Sequence, residues 1–231
     1  METRIGQLRA VDPAGIADAA VRAVDAVKVF GSGPTEVRAL DGITVDFERQ
    51  RFTAIMGPSG SGKSTLMHCL AGLDDLTSGQ AFLGDTDIGA LSERRRTELR
   101  RDRIGFVFQS FNLVPTLTAL ENILLPLRLA GRSAEGDWLA TVTEGIGIED
   151  RLHHRPSELS GGQQQKVACA RALISRPEVV FADEPTGNLD SRSGAQVLGF
   201  LREAVDTYGQ TVVLVTHDPR AASIADRVVF L

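Results

Sequence analysis

From Ala20 to Phe30 apolar and polar positions alternate imperfectly, and the pattern stops at the turn-rich Gly31-Ser32-Gly33-Pro34. Alternation is the period of a half-buried strand, and the glycine–proline cluster ends it. Ile43, Val45 and Phe47 predict a second strand. Phe52-Thr53-Ala54-Ile55-Met56 predicts a short apolar one that ends directly at a glycine-rich loop. The period then changes. Leu66, Met67, Leu70 and Leu73 recur at helical spacing and predict a helix from about Gly62, with these four on one face.

From about Ser92 to Ser157 the pattern is mostly helical, interrupted by the apolar strand Ile104-Gly105-Phe106-Val107-Phe108. Thr118-Ala119-Leu120-Glu121 has the spacing of a capping box and predicts a helix start. Pro126 is expected to kink or end that helix, because it lacks an N–H and crowds the preceding turn. Ser133 offers another start. Glu93 to Arg103 is rich in arginine, but Glu93, Glu98 and Asp102 interrupt it, so it reads as a solvated helix face.

Strand and helix alternate again after residue 160. Val179-Val180-Phe181-Ala182 is a buried-type strand, Gly194 to Val205 a helix, and Thr211 to Thr216 another buried strand. Asp218 can cap a short helix to Ile224, and Arg227-Val228-Val229-Phe230 is a last strand. Strand–loop–helix units at both ends with a helical insert between them indicate an α/β fold with a mostly parallel sheet. Residues 1–19 read as a loosely structured lead-in.

Composition narrows the class. At 231 residues, 42% hydrophobic and 24% charged, the chain fits one large α/β domain, or one with a small insert. The net charge of −5 and 5% aromatic content argue against a nucleic-acid partner. Met1 to Gly15 lacks the continuous apolar core of a secretory signal, and no apolar run approaches the ~20 residues of a membrane span. Any work at a membrane is therefore expected to pass through another chain. Cys69 and Cys169 read as reduced, buried thiols. Arginine dominates the basic residues, and the only lysines are Lys28, Lys63 and Lys166. That scarcity makes Lys63 more telling.

Gly57-Pro58-Ser59-Gly60-Ser61-Gly62-Lys63-Ser64-Thr65 follows a strand, precedes a helix and fits G-x-x-x-x-G-K-[ST]. Its glycines let backbone N–H groups wrap a β-phosphate, Lys63 sets a charge between the β- and γ-phosphates, and the Ser64 hydroxyl can ligate Mg²⁺. In Val179-Val180-Phe181-Ala182-Asp183-Glu184 an apolar strand ends in two acids beside that loop. Asp183 partners Mg²⁺ directly or at one remove, and Glu184 is placed to orient and deprotonate a water. His217 follows another strand and is placed for a γ-phosphate contact. His153 and His154 read as surface residues, and His68 as packed in its helix. Gln109 closes the strand before it; its amide either reaches Mg²⁺ or the water, or is an ordinary loop side chain. Ser160-Gly161-Gly162-Gln163 opens a helix with a hydroxyl and bare backbone N–H groups, chemistry for holding a phosphate from outside. One chain thus carries two phosphate-binding surfaces.

Taken together these residues resemble the ATP-binding cassette family from about Ala20 onward, in the family's order: phosphate loop, Gln109, Leu159-Ser160-Gly161-Gly162-Gln163, Asp183-Glu184, Asn188-Leu189-Asp190 and His217. The resemblance implies a P-loop NTPase core, an N-terminal antiparallel β subdomain, and an inserted helical signature subdomain at about residues 110–165. It implies ATP hydrolysis with Mg²⁺, a role for Gln109 at the metal and water, and Phe30 stacked on adenine where tyrosine is frequent. It further implies two cassettes paired head to tail, a homodimer, with Ser160 and Gly162 acting on the partner's nucleotide and Asp190 near the interface. A transmembrane permease would be the other partner, placing the chain peripherally on the inner face of the cell membrane.

Phe108-Gln109-Ser110-Phe111-Asn112-Leu113, Thr116 to Asn122 and Thr186 to Ser191 look like cassettes of the lipoprotein-release, macrolide-export and cell-division type. That implies export or extraction of an amphiphile or peptide, with regulation of a cell-wall or division complex as the alternative. A DNA-repair cassette would need a long coiled coil or zinc module in the insert, and there is neither. Lys166 stands where arginine is frequent, and Cys169 where an aliphatic residue is usual. Related cassettes usually continue past the position of Leu231 with a glycine turn and another strand.

Overall fold

The computed structural model describes residues 18–231; most of the expected lead-in, and the reading of Met1 to Gly15, lie outside them. The N-terminal part is an antiparallel sheet built from β1 (Ala19–Phe30), β2 (Val37–Glu48), β4 (Ser78–Leu83) and β5 (Thr86–Asp87), in the order β2-β1-β4-β5. β1 is bulged against β2, its register shifting between Ala23 and Ala26, which accounts for the imperfect alternation. The second sheet is parallel, ordered β6-β7-β8-β3-β9, from β3 (Phe52–Met56), β6 (Ile104–Phe108), β7 (Val179–Asp183), β8 (Val212–Val215) and β9 (Arg227–Phe230).

The continuous apolar runs of β7 and β8 follow from burial on both faces. Val180, Ala182, Val212 and Leu214 join one core, while Val179, Phe181, Val213 and Val215 join the other. The first core is roofed by α3 (Ala119–Leu129), α4 (Gly136–Ile146), α5 (Gly161–Leu173) and α6 (Ser191–Tyr208). The second holds α1 (Lys63–Leu70), α2 (Glu93–Arg103) and the antiparallel sheet. α5 lies so close to β6 that a Cβ on Gly105 would collide with the Ala172 carbonyl oxygen.

Several element ends differ from expectation. α1 stops at Leu70, leaving Leu73 beyond it and 46% exposed rather than on the buried face. Pro126 neither ends α3 nor costs it the last turn, since the Ala130 N–H reaches the Pro126 carbonyl and the helix runs to Leu129. The Thr118–Glu121 capping box is formed at its start. α4 begins at Gly136 behind Glu135, not at Ser133. α6 begins at Ser191 rather than Gly194, because Asp190 accepts from the Arg192 and Ser193 N–H groups. On α2 only Leu99 is buried. Its arginines are not all free in solvent: Arg100 donates to the Gly72 carbonyl, and Arg103 pairs with Glu178.

Cys69 and Cys169 are buried and free, and burial pushes their thiols up to about 11 and about 12. They pack rather than react. Lys166 donates to the Gly147 carbonyl at 3.3 Å and so ties α5 to the end of α4. Among the described residues no helix is long and apolar enough to cross a membrane.

Candidate nucleotide site

Parallel strands end on one side of a sheet, and here those ends carry the chemistry. β3 delivers Gly57, β6 delivers Gln109, β7 delivers Asp183 and Glu184, and β8 is followed by Thr216 and His217.

In the loop after β3, Gly57, Gly60 and Gly62 have φ of 154, 81 and 93°, a region L side chains rarely adopt. Gly62 caps α1 in the left-handed conformation with no side-chain bond, so the first N–H groups of α1 stay unclaimed. The Ser61 hydroxyl is buried and has no hydrogen-bond partner among the described residues. Pro58, Ser59 and Gly60 are exposed, and Thr65 is half-buried in the first turn of α1. Lys63 is only 8% exposed, and its Nζ donates to the Gly57 and Pro58 carbonyls at 2.9 and 2.7 Å. A cation held by two backbone carbonyls at an uncapped helix start, with an orphaned hydroxyl in the same loop, fits the polyphosphate of a nucleotide.

Ser64 Oγ donates to Asp183 Oδ1 at 3.0 Å, which joins the loop to β7. Burial pushes the Asp183 carboxyl above its ordinary value, and the Ser64 hydrogen bond pulls it partly back. His68 Nε2 stands 4.0 Å from Asp183 Oδ2, a neighbour that the reading of His68 as merely packed missed. A hydroxyl and a carboxylate in contact are hard oxygen donors of the kind Mg²⁺ takes.

Glu184 holds a left-handed φ of 46°. Its N–H donates to the Val215 carbonyl, and its Oε1 accepts from the His217 N–H at 3.1 Å and lies 2.7 Å from His217 Nδ1. A carboxylate only accepts, so Nδ1 carries the proton in this pairing. The Glu184 side chain is largely buried, whereas that of His217 is 72% exposed. Gln109 is exposed and turned to the loop after β7. Its Nε2 donates to Asn188 Oδ1 at 3.3 Å, and Asn188 Nδ2 donates back to the Gln109 carbonyl at 3.1 Å. Among the described residues its amide oxygen accepts no hydrogen bond. Phe30 closes β1 and is 44% exposed, and Lys28 Nζ sits 4.9 Å from its ring centroid.

The Ser160–Gln163 turn, expected to be a second phosphate surface, is built differently. Ser160 caps α5 and forms a capping box with Gln163, the Gln163 N–H reaching Ser160 Oγ at 3.3 Å and the Ser160 N–H reaching Gln163 Oε1 at 2.9 Å. Only the N–H groups of Gly161 and Gly162 remain open in this first turn. A Cβ on Gly162 would stand 2.6 Å from Ser193 Oγ, and Ser193 Oγ itself donates to Asp190 Oδ2 at 2.7 Å. The starts of α5 and α6 are thus pressed together, with Asp190 below their contact. The Ser193 hydroxyl and N–H hold the Asp190 carboxyl below its ordinary range. Among the described residues no hydrogen bond joins Ser160–Gln163 to the Gly57–Thr65 loop.

Two residues absent from the sequence reading complete the picture. Gln165, fully buried on α5, donates from Nε2 to the Phe108 and Pro185 carbonyls at 3.2 and 2.7 Å. Arg171 donates to the Asn112 and Phe111 carbonyls at 2.6 and 2.9 Å. A signal for the first was present: Gln165 shares the inward face of α5 with Cys169 and Ala172, and a polar group there needs partners.

The family described as ABC transporter matches residues 40–187, well over half the chain. A macrolide export ATP-binding/permease protein, MacB of Marinobacter nauticus, is 47% identical over 88% of this chain, which spans 32% of that relative's length. The lipoprotein-releasing system ATP-binding protein LolD of Legionella pneumophila is 43% identical, over 88% of this chain and 91% of its own. A solved ATP-binding cassette, MJ0796, described as the dimeric structure of a post-hydrolysis state bound to ADP and Pi, superposes with a TM-score of 0.83. It is 39% identical, over 91% of this chain and 94% of its own. The sheet order, the strand-end residues and these likenesses agree: the chain belongs to the ABC transporter family, as an ATP-binding and ATP-hydrolysing cassette.

Proposed function

We propose that two copies of this chain pair head to tail around Mg-ATP, that hydrolysis separates them, and that a separate transmembrane permease takes up the motion. The observation that carries the reading is the division of phosphate chemistry between two surfaces that, among the described residues, share no hydrogen bond within one chain. In this reading the Gly57–Thr65 loop grips the phosphates, and Phe30 offers its exposed ring to adenine. Ser160, Gly161, Gly162 and Gln163 close over the nucleotide of the other copy, with Asp190 fixing the contact between α5 and α6 at that surface. The dimeric relative supports this arrangement.

Ser64 and Asp183 would hold Mg²⁺, with the free amide oxygen of Gln109 as a further donor, and the ion would neutralise charge on the phosphate oxygens. Glu184 takes the proton of the attacking water. The His217 N–H and Nδ1 hold Glu184 Oε1 in place, and the exposed part of the His217 ring is left to meet the γ-phosphate. The names of the macrolide-export and lipoprotein-releasing relatives support an amphiphile or peptide as cargo, moved outward or extracted. The chain then sits on the inner face of the membrane beside its permease.

Glu184→Gln keeps the shape and removes the base. Phosphate release should fall by about a thousandfold, the general-base contribution, while Mg-ATP stays bound and the chain elutes as a dimer. Unchanged hydrolysis in that variant sinks the assignment. Co-purification from membranes, followed by identification of the bound partner, tests the permease.

A further inference from the structure

Gln165 is completely buried, and its amide oxygen is a buried acceptor with no partner among the described residues. Its amide nitrogen faces two carbonyl oxygens, so the amide cannot be flipped without setting oxygen against oxygen. A buried polar atom left unpaired costs stability, and an apolar side chain of equal size would avoid that cost. What the amide does instead is specific. Phe108 immediately precedes Gln109, and Pro185 immediately follows Glu184. β6 and β7 are paired up to Phe108 and Asp183, and beyond that point their chains part. The two hydrogens of one amide join the chains where they diverge, between the residues placed at the water.

The same helix holds the rest of the loop. Phe111 and Asn112 are consecutive left-handed residues, with φ of 56 and 50°, and both carbonyls are taken by Arg171. Without glycine such a pair is strained. Gln165 and Arg171 both project from α5, whose first turn is Ser160–Gln163. One rigid helix therefore carries the partner-facing phosphate surface at its start and the clamp on its own catalytic edge along its side.

We infer that Gln165 is a positioning residue: its amide sets the spacing of Gln109 and Glu184 and transmits the seating of Ser160–Gln163 on the partner's nucleotide to the water-activating edge of its own chain. This rests on the head-to-tail reading above. Each site of the dimer then senses whether the other is filled, and hydrolysis is cooperative in ATP.

The test uses the whole chain with Mg-ATP. Gln165→Met keeps the length and removes both donors. Equilibrium ATP affinity and KM should stay within about twofold, kcat should fall about tenfold, and the Hill coefficient should drop toward about 1, since the bonds lost act on the transition state and not on binding. A folded Met variant with wild-type kcat and Hill coefficient overturns the inference. Gln165→Glu serves where the Met variant does not fold. Its carboxyl donates only when protonated, so the ratio of its kcat to that of the wild type should rise as pH falls. A ratio flat in pH overturns the inference, because a purely structural role gives no such titration. If Glu184→Gln fails to dimerise with ATP, the assembly reading is the one that fails, and the pH-dependent ratio still decides whether Gln165 positions the edge.

Discussion

The Gly57–Thr65 loop and the Ser160–Gln163 turn are both glycine-rich starts of helices, yet glycine serves them for opposite reasons. In the loop the backbone itself demands it: Gly60 has a φ of 81° and nothing within 4 Å of where a Cβ would lie. In the turn the backbone is ordinary, and space is what is scarce at Gly162, where Ser193 crowds the missing Cβ. The loop leaves its helix N–H groups uncapped, whereas the turn satisfies two of its own through the Ser160–Gln163 box. In the proposed reading, one is a cradle for a ligand that its own chain holds, and the other is a half-capped helix end that turns the Gly161 and Gly162 N–H groups to a ligand outside the chain.

The largest effect that sharpens this contrast belongs to Lys63. Lys63→Ala removes the charge inside the cradle, and ATP affinity should fall by ~30-fold, about 2 kcal/mol, in equilibrium titration. Retained affinity would break the assignment of the loop. Next come the glycines. Gly60→Ala should destabilise the isolated chain by about 1 kcal/mol in denaturant melts, from backbone strain alone. Gly161→Ala should leave the melt within about 0.5 kcal/mol, since the new methyl makes an ordinary 3.6 Å contact with the Phe111 ring, yet it should still slow hydrolysis. Equal losses of stability at the two positions would erase the difference drawn between them.

The cradle was legible in the sequence because each part of it is contiguous. A strand, a glycine pattern and a lysine fall within a few residues, and so do the apolar run and acids of Val179–Glu184. That the acids, His217 and Gln109 follow strand ends was legible for the same reason. The braces were not. Gln109 meets Asn188 across 79 residues, and Gln165 meets Phe108 across 57, so no local spacing records either. β4 was missed because Ser78, Gly79 and Gln80 are exposed and polar, and the strand exists by pairing with β1. The start of α6 was placed late because Ser191 to Ser193 carry no apolar period. Asp190, read as an interface residue, proved to cap that helix as well.

The central claim is that a single chain does not complete its own site, and complementation tests it most directly. Lys63→Ala disables the cradle and Ser160→Arg obstructs the turn, so each variant alone should be inactive, the second with its own ATP affinity nearly intact. Mixed in equal amounts, a Ser160→Arg cradle meets a Lys63→Ala turn, and phosphate release should rise above either parent. It should stay below about a quarter of wild type, the ceiling for random pairing of independent sites, because the second site of each mixed dimer is dead and the coupling through Gln165 is lost. Wild-type hydrolysis by Ser160→Arg alone, or a mixture no more active than its parents, would contradict the account.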